Sequence, residues 1–325
     1  MSSKYRCFFR RLMQVKVKYR PVPSVLYKQY NRQSLAVPCS LGISILTLFG
    51  FEKKLSAEDE LVMTIKHCIL FINRGEYDKA EQLLHIALRN AQQIGHQLAI
   101  TYIYDVMANL ALEREQYSKA RDLFIAVTQR IMADGATEDD LRVIHLSAKL
   151  ARISHKQNEH TTAQIGYEWC LQKLNNHSKN TDDEVIQLIA MTEDWYGRLF
   201  LDTNQLEHGL NFLKSAYNRM RGIPDFDPEH LMVQLNDIGT VCNHIGKIDD
   251  SISYFQKAIE LGKELPDTTD LGTCYVNLGR AFMKKNLMDE ARKSCGYGWK
   301  LGVTGKNKDI KKEAEKCLNE IKNLA

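Results

Sequence analysis

Histidines, cysteines, glycine–lysine pairs and paired acids are the residues through which this 325-residue chain could do covalent, metal or phosphate chemistry. His155-Lys-Gln-Asn-Glu-His160 is one residue too long for an H-x-x-E-H zinc motif, and it falls where a helical hairpin should turn, which separates the two rings. Gly246-Lys247 runs into Ile248 and Gly305-Lys306 into Asn307, so neither supplies the hydroxyl that a phosphate-binding loop places on magnesium. There is no G-x-S-x-G nucleophile elbow. Asp139-Asp140 and Asp249-Asp250 read as helix-start or surface acids. The cysteines, Cys7, Cys39, Cys68, Cys170, Cys242, Cys274, Cys295 and Cys317, contain no C-x-x-C pair and no close pair of any kind. Zinc ribbons and thioredoxin-like chemistry are excluded on that spacing. The expectation is free thiols packed as small apolar groups on helix faces, in a compartment that does not require disulfides. Catalysis is not expected, nor is a metal, a cofactor or a small-molecule substrate.

With chemistry set aside, the elements carry the argument. Between Pro38 and Pro224 there is no proline, and no Asn-Gly hairpin signal or marked period-2 alternation appears, so the body reads as helix. Within it a small residue recurs as Ala80, Ala120, Ala163, Gly209, Ser251 and Ala291, at spacings of 40, 43, 46, 42 and 40. Three residues before each stand Tyr77, Tyr117, His160, Leu206, Ile248 and Met288. Four after stand Leu84, Phe124, Tyr167, Leu213, Phe255 and Cys295, and seven after Ala87, Val127, Cys170, Ala216, Ala258 and Gly298. Twelve before, the position is small again: Cys68, Ala108, Ala151, Gly197, Gly239 and Gly279. Five before comes a turn residue, Gly75, Asn158, Asn204, Gly246 or Asn286, with Glu115 the exception.

Small residues at two fixed places let two antiparallel helices approach closely, and large apolar residues between them fill the layer shared with the next hairpin. That is the register of a tetratricopeptide repeat, here somewhat longer than its unit of about 34 residues. The expected fold is all-α: a tetratricopeptide-repeat solenoid of about six helical hairpins over residues 55–305, closed by a capping helix over 306–325. Ile310, Ala314, Leu318 and Ile321 form the apolar stripe of that last helix. Capping boxes are read at Ser56 with Asp59, Thr137 with Asp140, and Thr181 with Glu184, and Asp227-Pro228-Glu229 supplies a cap, a first-turn proline and an acid. Pro224 and Pro266 mark helix stops, and Asn175–Asp183 reads as a polar loop.

Charge divides the chain in another way. The first 51 residues hold nine basic residues and no acid; taking nine from 44 leaves 35 basic against 40 acidic residues beyond them. A formal +4 therefore hides a +9 leader on a −5 body, and the body offers no footprint for nucleic acid. Tyr5, Phe8, Phe9, Leu12 and Met13 share one helical face among Arg6, Arg10, Arg11 and Lys16, the pattern of a mitochondrial transit peptide, assigned to residues 1–33. Residues 34–54 contain a seventeen-residue uncharged run, Leu35 to Phe51, interrupted by Pro38, Gly42 and Gly50. It reads as a short inner-membrane anchor or sorting signal, with removal alongside the leader as the other reading.

In such repeats the first helix of each hairpin faces the groove. Numbering six repeats from Leu61, Thr101, Ile144, Ala190, Met232 and Gly272 gives candidate partner-binding residues: Tyr102, Asp105 and Asn109; His145, Arg152 and His155; Asp194 and Arg198; Asn236 and Asn243; and Arg280. The mixture suits a peptide or helix laid along the groove. Asn109, Arg152 and Arg198 stand out because they share one position in consecutive repeats. A C-terminal carboxylate clamp is absent, because Ile65, Ile69 and Val106 stand where its polar residues belong.

The segment Ile100-Thr-Tyr-Ile-Tyr-Asp-Val-Met-Ala-Asn-Leu-Ala111 resembles a characteristic stretch of the mitochondrial tetratricopeptide repeat protein 19 family, as does Gly166-Tyr-Glu-Trp-Cys170. The resemblance covers residues 60–325, with 100–112 its specific part; the later repeats match through general repeat residues. It implies an inner-membrane-associated factor for assembly and maintenance of respiratory complex III, with a link to turnover of fragments of the Rieske iron–sulfur subunit. The other reading is a cytosolic cargo or scaffold adaptor of the kinesin light chain type, for which an acid-free leader has no use.

Overall fold

A computed structural model describes residues 56–177, 182–265 and 269–324. The expectations placed on residues 1–54, on Thr181 and on Pro266 lie outside these. Among the described residues there are thirteen helices and no strand. In chain order they are α1 Ala57–Arg74, α2 Tyr77–Gln93, α3 Gln97–Glu113, α4 Tyr117–Ala133, α5 Leu141–Lys156, α6 His160–His177, α7 Asp183–Asp202, α8 Leu206–Met220, α9 Pro228–His244, α10 Ile248–Lys263, α11 Thr269–Lys284, α12 Met288–Thr304 and α13 Lys308–Leu324. They make six hairpins and a final single helix, as the repeat register requires.

The turns explain the regularity. At Gly75, Glu115, Asn158, Asn204, Gly246 and Asn286 the backbone is left-handed, with φ between 59° and 84°. The amide that follows each of them bonds back to the last turn of the first helix: Glu76 N to Phe71 O, Gln116 N to Ala111 O, Glu159 N to Ser154 O, Gln205 N to Phe200 O, Lys247 N to Cys242 O and Leu287 N to Phe282 O, all at 2.8–2.9 Å. This bond satisfies carbonyls that the ending helix would otherwise leave open. Starting the next helix one residue later puts the small residue at its fourth position, against the first helix.

The described chain forms two units that divide between Leu146 and Ser147. In the first, α1 to α4 pack each on the next. Leu61, Ile65, Cys68, Ala80, Leu84 and Ala87 share one core with Ile100, Ile103 and Met107. In the second, α6 to α13 continue the sequential packing, and α9, α11 and α13 also touch side by side. The small residue and the positions twelve before, four after and seven after it are buried in every repeat, while the larger residue three before it is half-buried. Gly197 and Gly209 show why size is limiting there: a Cβ on Gly209 would stand 2.9 Å from Gly197 O and 2.5 Å from Leu201 Cδ2.

Two local expectations are corrected. Helix α5 begins at Leu141, so Asp140 is its cap, accepting from Arg142 N at 2.9 Å, and Thr137 sits upstream in the turn. Helix α7 is capped by Asp182, which accepts from Glu184 N at 3.1 Å. At α5 the aspartate nearer the helix reaches its open amides first. Asn175, Asn176 and His177 extend α6 instead of beginning a loop. The caps at Ser56 and at Asp227 with Pro228 are as read.

The cysteines divide in a way the spacing does not reveal. Cys68, Cys170, Cys242 and Cys274 are buried free thiols. Burial pushes the Cys68 thiol up to about 11 and that of Cys170 to about 12, which leaves both inert as nucleophiles. Cys295 and Cys317, by contrast, are joined in a disulfide, with Cα atoms 6.2 Å apart. Helix α13 lays its apolar stripe on α12, which brings Cys317 onto the register position that Cys295 occupies.

Candidate protein-binding groove

The first-helix face of the second unit begins with a chain of polar groups. Arg152 Nη1 donates to His155 Nδ1 at 2.9 Å, and His155 Nε2 meets Asp202 Oδ2 at 2.9 Å. An arginine can only donate, so His155 accepts on Nδ1 and gives its Nε2 hydrogen to the carboxylate. Burial holds the imidazole pKa below its ordinary value; Asp202 works against this, while Arg152 and Lys156 add to it. Arg152 also lies over the Trp195 ring, 5.9 Å from its centroid. His160 belongs to the next helix, its ring centroid 6.3 Å from that of His155.

A second network follows. Arg198 Nε donates to Asp194 Oδ2 and its Nη2 to Asp237 Oδ2, both at 2.9 Å. Burial opposes the guanidinium charge, but the two carboxylates together outweigh it and raise its pKa. Burial likewise raises the Asp237 pKa, against the pull of Arg198.

Beyond Arg198, α9, α11 and α13 border a cleft of about 950 Å3. Asn277 Nδ2 donates to Asn236 Oδ1 at 2.9 Å, and Lys284 Nζ to Asn243 O at 2.8 Å. Asn243 Oδ1 is buried and accepts no hydrogen bond. Arg280 reaches Glu313 of α13 at 2.8 Å. Apolar groups, among them Val233, Phe255, Cys274 and Met283, complete the lining. Such a cleft, apolar in its floor and set with hydrogen-bonding groups, is suited to hold a polypeptide segment.

The residues singled out in the sequence therefore separate. Asn236, Asn243 and Arg280 come together on the cleft. Arg152, His155, Asp194 and Arg198 are buried, and their polar heads are engaged within the fold. A charge reversal at Arg152 or Arg198 would thus leave buried carboxylate or imidazole partners uncompensated and cost stability. In the first unit, Asp105 and His145 are buried, Tyr102 is half-buried against the core, and Asn109 donates to Asp105 O on its own helix at 2.8 Å. The positional numbering passed over Asp237 and Asn277, which sit one place beyond a groove position and turn into the cleft in spite of it. It also passed over Glu320 and Asn323, because the capping helix was not counted as lining. Among the described residues no helix is long and apolar enough to cross a membrane, and no cluster of His, Cys, Asp and Glu could hold a metal.

No protein-family model matches the chain. It is 37% identical over 281 residues to the mitochondrial tetratricopeptide repeat protein 19 homolog of Drosophila melanogaster, across 85% of this chain and 76% of that protein. It is 30% identical over 256 residues to the mitochondrial tetratricopeptide repeat protein 19 of Rattus norvegicus, across 74% of this chain and 70% of that one. Among solved structures, a signal-transduction ATPase with a tetratricopeptide repeat sensor from Pyrococcus horikoshii superposes with a TM-score of 0.61 at 14% identity, over 81% of this chain and 37% of that chain. The kinesin light chain-like repeats of Podosopora anserina superpose with a TM-score of 0.51 at 13% identity, over 63% of this chain and 95% of theirs. At such identities the two structures speak for the fold alone.

Proposed function

The chain belongs to the mitochondrial tetratricopeptide repeat protein 19 family, and from that premise we propose that it is a non-enzymatic protein-binding factor acting in the assembly and maintenance of respiratory complex III. The basic leader over residues 1–33 takes it into mitochondria, and the repeats work at the inner membrane. Its partner is complex III or the Rieske iron–sulfur subunit, including fragments of that subunit awaiting turnover. The observation that carries a binding role is the cleft between α9, α11 and α13. It combines an apolar floor with carboxamides that offer both donors and acceptors. No step in this reading needs a cofactor or a metal. A cytosolic adaptor of the kinesin light chain type would share the repeats but leave the acid-free leader without a purpose, and the likeness to kinesin light chain-like repeats extends only to fold.

The test is affinity capture from detergent-solubilised mitochondria with the tagged full chain, followed by mass spectrometry. Wild type is expected to bring down complex III subunits. A variant carrying Asn243→Ala and Lys284→Glu should keep the helical content and melting temperature of wild type yet recover at least five-fold less, in the range expected when charged and hydrogen-bonding contacts are lost together. Equal recovery by both proteins, or none by wild type, would reject the reading.

A further inference from the structure

We propose that the outer face of α12, together with the adjoining first turns of α13, docks on the anionic surface of a lipid bilayer. This deepens the reading that the repeats work at the inner membrane, and rests on it only for which membrane is meant.

Charge is the first observation. Residues 292–325 hold nine basic residues and four acids, a net +5, whereas residues 147–291 of the same unit hold 15 basic and 21 acidic residues, a net −6. Two of the four acids turn toward the cleft, Glu313 onto Arg280 and Glu320 into the lining. The cations stand elsewhere: Lys293 and Lys300 are exposed on α12, Lys306 in the turn after it, and Lys308 and Lys312 on α13. None of these five has a carboxylate partner among the described residues, in contrast to Arg292 with Asp289 and Lys311 with Glu315, both at 3.7 Å. Acids stand at the edges of the face: Asp289 and Glu290 in the first turn of α12, Asp309 in that of α13, and Glu260 of α10 across the depression beside Tyr297. An anionic leaflet draws the lysine cluster toward it and repels the acidic remainder of the unit, which sets the orientation of docking.

The second observation is apolar. Tyr297 and Trp299 are the only exposed aromatic side chains among the described residues, at 58% and 39%, and Val303, one turn beyond Trp299, is 44% exposed. One ring leans on Tyr275 of α11, centroids 5.4 Å apart, and the other gives its Nε1 hydrogen to Glu315 of α13 at 3.2 Å. The helical turn angle places Lys293, Lys300 and Val303 on the arc of α12 between the two rings. Gly296 falls in the middle of that arc, and a Cβ there would meet nothing inside the fold, unlike those of the packed Gly197 and Gly209. A mid-helix glycine with no packing role weakens the helix, yet it leaves a shallow place where a second surface can come close. Rings with one apolar and one polar side sit at headgroup level in a bilayer, and lysine stems lie along the apolar layer with their ammonium groups on the phosphates. The abundance of lysine points away from a protein partner, because protein–protein interfaces are depleted in it.

The test uses the full chain and vesicles of phosphatidylcholine with brominated acyl chains, either alone or with about a third phosphatidylglycerol. Bromine quenches tryptophan only at close range, so the signal reports on α12 whatever the basic leader does. The Trp299 contribution is the difference between wild type and Trp299→Phe, since Trp169 and Trp195 are common to both. Anionic vesicles are expected to quench Trp299 and neutral vesicles to leave it bright, and salt at about 0.5 M should remove the difference. Lys293→Glu with Lys300→Glu should raise the lipid concentration for half-quenching about ten-fold or more, with helical content and melting temperature unchanged. No quenching by anionic vesicles, equal quenching by neutral ones, or an unaltered double variant would overturn the inference. Sedimentation of the chain with vesicles while Trp299 stays bright would overturn it as well, and would assign membrane binding to another part of the chain. If complex III is captured and Trp299 stays bright, the inference fails and the functional reading stands. If Trp299 is quenched as described and complex III is not captured, the outcome is the reverse.

Discussion

Arg152 gives a hydrogen bond to His155, and His155 gives one to Asp202, so a single tautomer is written into a row of three side chains. That row makes a pH prediction. The folded chain resists charging His155, whose pKa lies below the ordinary 6.5, while the unfolded chain does not. The stability it contributes is therefore complete above about pH 6.5 and is lost as pH falls from there through the folded value. The unfolding free energies of wild type and His155→Gln should differ most above pH 6.5 and converge below it. A gap that stayed constant from pH 7.5 to 5 would contradict the assignment. Glu115 supports a second residue-scale prediction. Five of the six hairpin turns use glycine or asparagine at the left-handed position, and Glu115 sits there with φ 59° and an exposed side chain. Glu115→Gly should raise stability by about 1 kcal/mol in denaturant unfolding; a loss would mean that the glutamate side chain holds the turn. The exception was visible in the sequence, because the repeat register marks the place where the other five turns carry glycine or asparagine. The roles of Arg152 and Arg198 were not visible. A groove position in a repeat states which way a Cα–Cβ bond points, and a long guanidinium is free to turn back and pair with the next helix.

At the scale of the element, the repeat register was legible because it is set by backbone approach, which admits few residue types, and six copies repeat the same restriction. The capping helix was legible from Ile310, Ala314, Leu318 and Ile321, which lie on its packed side. Its covalent tie was not, since twenty-two residues separate Cys295 from Cys317 and no spacing rule links a register position to a cap. The tie matters because α13 is the last helix, buries mainly two isoleucines with small residues between them, and has no further repeat behind it. End helices of this kind open first. Closing a loop of 22 residues is worth about 3 kcal/mol in the unfolded chain. Reduction with a small dithiol should accordingly speed hydrogen exchange across α13 far more than across α9 or α10. The paired variant Cys295→Ala with Cys317→Ala should exchange in the fast manner with or without reductant. Cys242→Ala, at a buried free thiol, should leave the difference between oxidised and reduced protein in place. Uniform exchange in both states would show that packing alone holds the cap. Because Glu313, Glu320 and Asn323 belong to α13, the same tie fixes one wall of the cleft.

For the whole molecule, net charge is informative only after the chain is divided. The +4 of the full sequence is the balance of a leader with nine basic residues and a body at −5, and no surface of the repeats presents that average. Within the described body many charges are spoken for, as Arg114 with Asp78 and Glu81, Arg198 with Asp194 and Asp237, and Arg280 with Glu313 illustrate. The body thus offers nucleic acid no net positive charge, whereas the first 51 residues carry nine basic residues and no acid. In the proposed function their use is directional: an inward-negative membrane potential draws in a positively charged amphipathic segment and repels a negative one. Replacing Arg6, Arg10, Arg11 and Lys16 with Glu changes the leader from +9 to +1 and leaves the apolar face of Tyr5, Phe8, Phe9, Leu12 and Met13 untouched. The variant should fold its repeats as wild type does, since no residue of the described helices changes, and should remain outside mitochondria on cell fractionation. Dissipating the potential with an uncoupler should hold back the wild type in the same way. Import of the charge-reversed chain at the wild-type rate would show that a signal elsewhere addresses the protein and that the charge asymmetry serves some other end.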